Sequence, residues 1–259
     1  MAKKKLKKQD EPGFIPGIYN YCDRWCEKCR LQLQCVSFVM GKKIEERGVF
    51  NLECNEVKEN DSLWERLKSI FESTCEVLQE VAEERGMKVE DVYALEQIDR
   101  GFFEEEMGHV LKEGKMYPRV ENSDILKICQ VYEHWADRCL EKILKFPDEK
   151  GVSPGEDIEI VSWYLDLMQA KMRRALHTYY VQEEAEMCGA DDYNGWVKVV
   201  LISIERSDIS WKNIQKSYAE YATEIGHLRA MLGQLKTDIE RQFPYARKFL
   251  RPGFEKCVN

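Results

Sequence analysis

A 259-residue chain that is 44% hydrophobic and 33% charged has enough apolar material to bury a sizeable core without staples and is too rich in aromatics for disorder. Its formal net charge of −8 is unevenly spread, because residues 1–47 hold eleven Lys/Arg against six Asp/Glu, a net of +5, leaving −13 on the remainder. An acidic body of this kind argues against wholesale nucleic-acid binding, whereas the basic head is suited to an acidic protein partner.

The first eleven residues carry Lys3, Lys4, Lys5, Lys7 and Lys8 and read as a disordered basic tail. They lack the apolar stretch of a secretory signal, and the most apolar run of the chain, 199–204, is far short of a membrane span. The expected compartment is therefore a reducing cytoplasm without membrane association. There the ten cysteines are expected to be thiols or metal ligands rather than disulfides.

Pro12, Gly13, Pro16 and Gly17 lead into Cys22, Cys26, Cys29 and Cys35, and Gly41 and Gly48 follow. Residues 12–56 thus read as a small, irregular, cysteine-rich head. Cys-x3-Cys-x2-Cys-x5-Cys is the one spacing in the chain that demands a chemical explanation. Short spacers curl the backbone so that several thiolates converge on one site, which is what an iron–sulfur cluster needs. Structural zinc sites with four cysteines more often join two separated Cys-x2-Cys pairs, and here there is one such pair. The first expectation is an iron–sulfur cluster, of the 4Fe–4S type, held by these four cysteines. Zinc on the same four is the alternative, ahead of disulfides or plain thiols. Tyr19, Tyr21 and Trp25 are candidates to shield the centre, and Arg24, Lys28 and Arg30 to offset its charge. The first three cysteines also match the spacing of radical S-adenosylmethionine enzymes. Those enzymes need an open iron and an alternating β/α barrel, and the sequence has no strand pattern.

The body reads as helices. Ser62 and Glu65 form a capping box ahead of Leu67, Ile70, Phe71, Leu78 and Val81, and that helix ends near Gly86. A second spans about 89–112, with Val92, Phe103, Met107 and Val110 on one face. Ser123 opens a third, whose stripe of Ile125, Cys129, Tyr132, Ala136, Cys139 and Ile143 stops before Pro147. Ser153-Pro154-Gly155-Glu156 is a strong start signal for a helix reaching about 187, with Val161, Tyr164, Met168, Met172, Ala175 and Tyr179 inward. Residues 196–206 are apolar almost all round, as in a central buried helix. Ile214, Tyr218, Tyr221, Ile225, Leu228, Leu232, Leu235 and Ile239 then form a seam of alternating threes and fours ending before Pro244. The expected fold is all-α, a bundle of about six helices over 57–259 behind the head.

Glu106-x-x-His109 and Glu224-x-x-His227 have the form used by ferritin-like di-iron proteins. At 100° per residue, however, His227 and His109 each lie more than about 100° from the centre of the apolar face of its helix. The same construction turns His134 and His177 outward, so all four histidines are expected at the surface. No phosphate-binding glycine loop, nucleophile elbow or His-Glu-x-x-His stretch occurs. Cys54, Cys75, Cys188 and Cys257 have no histidine nearby in sequence and read as packing residues or chance occurrences.

The head from Pro16 through Cys29 with Cys35, the stretch Gly195-Trp196-Val197-Lys198-Val199-Val200-Leu201-Ile202 with Glu205-Arg206-Ser207, and the run from Phe243-Pro244 to Arg251-Pro252-Gly253-Phe254 together resemble an uncharacterised family of bacterial all-helical proteins. The resemblance implies a shared architecture and cysteine site, without a function. The functional expectation is thus an iron–sulfur-binding helical protein in electron transfer or redox-linked metabolism, with a protein or redox partner. The alternative is a zinc-stapled, non-enzymatic module that docks a partner through its basic head.

Overall fold

The structure is a computed structural model that describes residues 13–48, 60–92, 118–145, 155–184 and 192–255. Among these residues there is no strand, and the regular elements are helices. The chain divides into two compact units, Met1–Glu113 with Pro252–Asn259, and Gly114–Arg251.

The first unit begins with three single 3₁₀ turns, Ile18–Tyr21, Cys26–Lys28 and Gln32–Gln34. They lead into helix α1, Val36–Glu46. The head is thus irregular only up to Cys35, and α1 is an element that Gly41 hides from a reading of sequence punctuation. Helix α2, Asn60–Arg85, follows. It is already helical at Asn60, so Ser62, expected as its cap, lies inside it. Its end is where the sequence put it. Gly86 takes a left-handed φ of 64°, its amide donates to the Glu83 carbonyl at 3.2 Å and the Met87 amide donates to the Ala82 carbonyl at 2.9 Å. This doubly bonded exit satisfies two carbonyls that the helix leaves open, and glycine avoids the cost of a Cβ there.

Val36 and Met40 of α1 share one buried cluster with Val77, Leu78, Val81 and Ala82 of α2 and with Val92, and Phe14 and Tyr19 pack against it. Lys43 binds Glu80 and Glu84 at 2.6 and 2.9 Å. Arg85 donates to the Leu33 carbonyl at 3.0 Å and stacks over the Phe14 ring. The cysteine segment and α2 are therefore built on one core. Phe71, expected inward, is 68% exposed. Val89 to Val92 are helical as anticipated; the rest of that second helix, with Phe103, Met107 and Val110, lies outside the described residues, as does the basic tail.

In the second unit, α3 (Asp124–Lys145), α4 (Glu156–Glu184), α5 (Asp192–Ser217) and α6 (Ala222–Gln242) form a ring of four in which α3 packs on α4 and α6, and α5 on the same two. Arg206 bonds to the Tyr164 hydroxyl and Asn213 to Asp157 at 3.2 Å. Residue numbers thus rise on α5 as they fall on α4, so the pair is antiparallel. Glu205 with Lys236 and Asp208 with Arg229 set α5 against α6 in the same sense. The α3 stripe is buried as expected, and so are Val161, Tyr164, Met168, Met172 and Ala175 of α4. Tyr179 and Ile202 are only half-buried.

The 214–239 seam is not one helix. Ile214 belongs to α5, the chain breaks at Tyr218 (φ −125°) into the turn Ala219–Tyr221, and α6 starts afresh. Neither glycine nor proline marks this break. The buried Tyr218 side chain holds it through packing, which local periodicity does not register. No helix among the described residues is long and apolar enough to cross a membrane.

Candidate functional site

The three 3₁₀ turns place the cysteines. Cys22 ends the first turn, Cys26 opens the second, Cys29 ends it, and Cys35 lies between the third and α1. Gly17 enters with a left-handed φ of 67°, and Arg24 is the one non-glycine described residue with positive φ, at 55°. That conformation costs an L-residue about 1–2 kcal/mol. It persists because the Trp25 amide bonds to Asp23 Oδ1 at 3.3 Å and the Cys26 amide to the Arg24 carbonyl at 2.9 Å. Strain held in place this way is typical of functional loops. Gln32 spans the segment by donating to the Cys26 carbonyl at 2.5 Å.

Cys22, Cys26, Cys29 and Cys35 all line one pocket, with Ile18, Tyr19, Asp23, Arg24, Trp25, Gln32, Phe38 and Phe254. Each is half-buried and carries a free thiol. Burial, and then the neighbouring Cys22, Cys35 and Cys29, push the Cys26 thiol up to about 11. Burial also raises Cys35, against the backbone amides of Phe38 and Ser37, which favour its thiolate. Two local donations complete the picture. The Leu31 amide donates to Cys29 Sγ at 3.4 Å, and Cys22 Sγ donates to the Tyr19 carbonyl at 3.4 Å.

The space enclosed is about 20 Å³, close to that of one water. A tetrahedral zinc with 2.3 Å bonds holds its sulfurs about 3.8 Å apart. Among the described residues no group of three or more His, Cys, Asp or Glu side chains is arranged to hold a metal ion. The thiols therefore wall a shared space without forming a closed ligand shell.

Of the expected shields, Tyr19 and Trp25 line the pocket, whereas Tyr21 is buried and not among its lining. The Lys28 ammonium sits over the Trp25 ring, 4.0 Å from its centroid. Arg30 Nη2 donates to the Phe254 carbonyl at 3.2 Å. Phe38 and Phe254 are walls that the sequence reading did not include. Phe38, one turn into α1, was within reach of a helical argument from Cys35. For Phe254 the one local signal is the neighbouring Gly253, and it does not name a partner.

Cys129 and Cys139 are core residues at 2% and 3% exposure. Cys75 is exposed rather than packed, and Cys54, Cys188 and Cys257 lie outside the described residues. Glu224 binds Lys142 at 2.8 Å and His227 is exposed beside it, lining a groove with Trp135, Arg138 and Met231. His134 is exposed against Trp135. His177 departs from expectation in being half-buried. Glu106 and His109 fall outside the described residues.

No family model matches the chain, and neither the curated proteins nor the solved structures give a match.

Proposed function

We propose that the head binds an iron–sulfur cluster, 4Fe–4S, through Cys22, Cys26, Cys29 and Cys35, and that the protein serves electron transfer or redox-linked metabolism. The observation that carries this reading is the convergence of all four thiols on one pocket, built by three consecutive turns. The donor set has the chemistry a cluster requires, four cysteine sulfurs in one short segment. A cubane takes one thiolate at each of four irons and so separates the sulfurs more than a single ion does. The space the thiols wall is about that of one water, so seating a cubane would require their side chains and the pocket walls to move outward.

This chain's own groups would tune the centre. The Leu31 amide stabilises negative charge on Cys29, and the Phe38 and Ser37 amides do so for Cys35. Trp25 and Tyr19 restrict water. Arg24, Lys28 and Arg30, all exposed, supply positive charge at the rim and an approach for an acidic partner. Hydrogen bonds to sulfur, solvent access and nearby charge are the levers that set a cluster's potential.

The test is metal and sulfide analysis of anaerobically purified protein together with its visible spectrum. Iron with matching sulfide and a visible band, both lost when the four cysteines are replaced by serine, is the expected result. A colourless protein holding zinc would assign the zinc-stapled partner-docking module instead, because zinc is d¹⁰ and silent. Metal content unchanged in the four-serine variant would refute both.

A further inference from the structure

Residues 252–255 lie in the same unit as the cysteine head although they are more than two hundred positions away in sequence. Their seating is tight. A Cβ built on Gly253 would lie 2.8 Å from Ile15 Cδ1, 3.1 Å from Ile18 Cδ1 and 3.2 Å from Leu31 Cδ1, and its φ of 76° is one that side chains disfavour. The positive φ favours glycine whatever the space, and a side chain here would also have to push aside the terminal methyls of these three residues, which flank the cysteine turns. Arg30 Nη2 then fixes the next carbonyl, that of Phe254, at 3.2 Å. Phe254 lines the pocket that the four thiols share.

We infer that Pro252–Gly253–Phe254 is the closing wall of the cysteine pocket, with Phe254 as the positioning residue that limits access of solutes to the thiols. This deepens the proposed cluster site, since it names what controls water and oxidant reaching it. The closure itself requires no bound group. It also gives a physical reason for the Arg-Pro-Gly-Phe run, since glycine supplies the close approach, phenylalanine the apolar cover, and Arg30 from the head the anchor. An aromatic ring over a thiol pocket displaces water without offering a competing ligand, whereas a polar residue there would hold water at the sulfurs.

The experiment is alkylation of the full-length, chelator-treated protein by iodoacetamide, with the rate at each cysteine read by mass spectrometry. Phe254→Ala should accelerate modification of Cys22, Cys26, Cys29 and Cys35 several-fold while leaving the exposed Cys75 and the core Cys129 and Cys139 unchanged. Phe254→Leu, which keeps an apolar cover, should restore most of the protection, and Gly253→Val should mimic Phe254→Ala by lifting the segment. Equal rates in wild type and Phe254→Ala would overturn the inference. So would acceleration shared by Cys129 and Cys139, which reports general loosening. Because the protein is metal-free throughout, either outcome is independent of whether the head proves to carry iron, zinc or neither.

Discussion

Replacing Tyr132 by phenylalanine tests whether the second unit is held by one buried polar contact as well as by apolar packing. Trp211 Nε1 donates to the Tyr132 hydroxyl at 2.9 Å, and the two side chains are 0% and 1% exposed, joining α5 to α3 across the ring of four helices. Tyr132→Phe keeps the ring and strands the indole N–H in an apolar interior, which costs about 1–3 kcal/mol. Trp211→Phe removes the donor and also leaves a cavity, for about 2–4 kcal/mol. In the double variant neither member of the Trp211–Tyr132 pair is left without the other, although the buried Ser207 hydroxyl beside Tyr132 remains, so the loss should fall short of the sum of the singles by about 1–2 kcal/mol. Urea unfolding followed by far-ultraviolet circular dichroism measures this from midpoints at constant slope. Strict additivity, or a Tyr132→Phe protein as stable as wild type, would refute the reasoning. A second signature is alkaline. Burial drives the Tyr132 hydroxyl's pKa upward, so the folded state keeps a proton that the unfolded chain releases above about pH 10. Stability should fall as pH rises past that point, and Tyr132→Phe should lessen the fall.

Leu201→Asp, at a side chain 1% exposed, buries an unpaired carboxylate and should cost about 3 kcal/mol or more; a variant melting within a few degrees of wild type would contradict the placement of α5 at the core. Gly86→Ala and Gly233→Ala form a matched pair, since neither added Cβ meets an atom within 4 Å, yet Gly86 has a φ of 64° and Gly233 lies inside α6 without one. The first should lose about 1 kcal/mol and the second gain about 0.5–1 kcal/mol in urea titration; shifts of one sign would contradict the backbone account. Burial holds the Cys129 thiol up at about 12, so the folded form stays protonated while the unfolded chain ionises near 9. The stability this confers is complete below that pH and drains away as pH rises towards 12. Cys129→Ala should flatten the drop between pH 9 and 11, and an unchanged profile would remove the linkage.

How far the fold could be read in advance depended on whether an element carried its own cause. The α3 stripe from Ile125 to Ile143 is buried as its period demands, and α2 stops at Gly86 because a left-handed exit needs glycine. Where the cause lay in distant packing, periodicity misled. The break at Tyr218 falls in the middle of an unbroken heptad-like pattern, because a run of Ile, Leu and Tyr at threes and fours records which residues are buried and not whether one helix or two bury them. Phe71 shows the converse, a correctly spaced aromatic that its helix leaves exposed.

The cysteine head divides along the same line. Spacing alone brought Cys22, Cys26, Cys29 and Cys35 together, because short spacers leave the backbone few ways to keep them apart, and the three 3₁₀ turns are the form this takes. What surrounds them was legible only in part. Trp25 and Tyr19 adjoin the cysteines in sequence and were visible for that reason, whereas Phe254 reaches the pocket from residues beyond position 250, and nothing in the spacing of Pro252, Gly253 and Phe254 points to a partner. The trace that did exist was Gly253 itself. A glycine flanked by proline and phenylalanine marks a backbone that must either turn with positive φ or press against something, and here it does both, at 76° and against Ile15, Ile18 and Leu31. Ile15 precedes the first cysteine turn, Ile18 opens it and Leu31 precedes the third, so the residues that crowd glycine at position 253 are ones that flank the cysteines and adjoin the wall of the pocket.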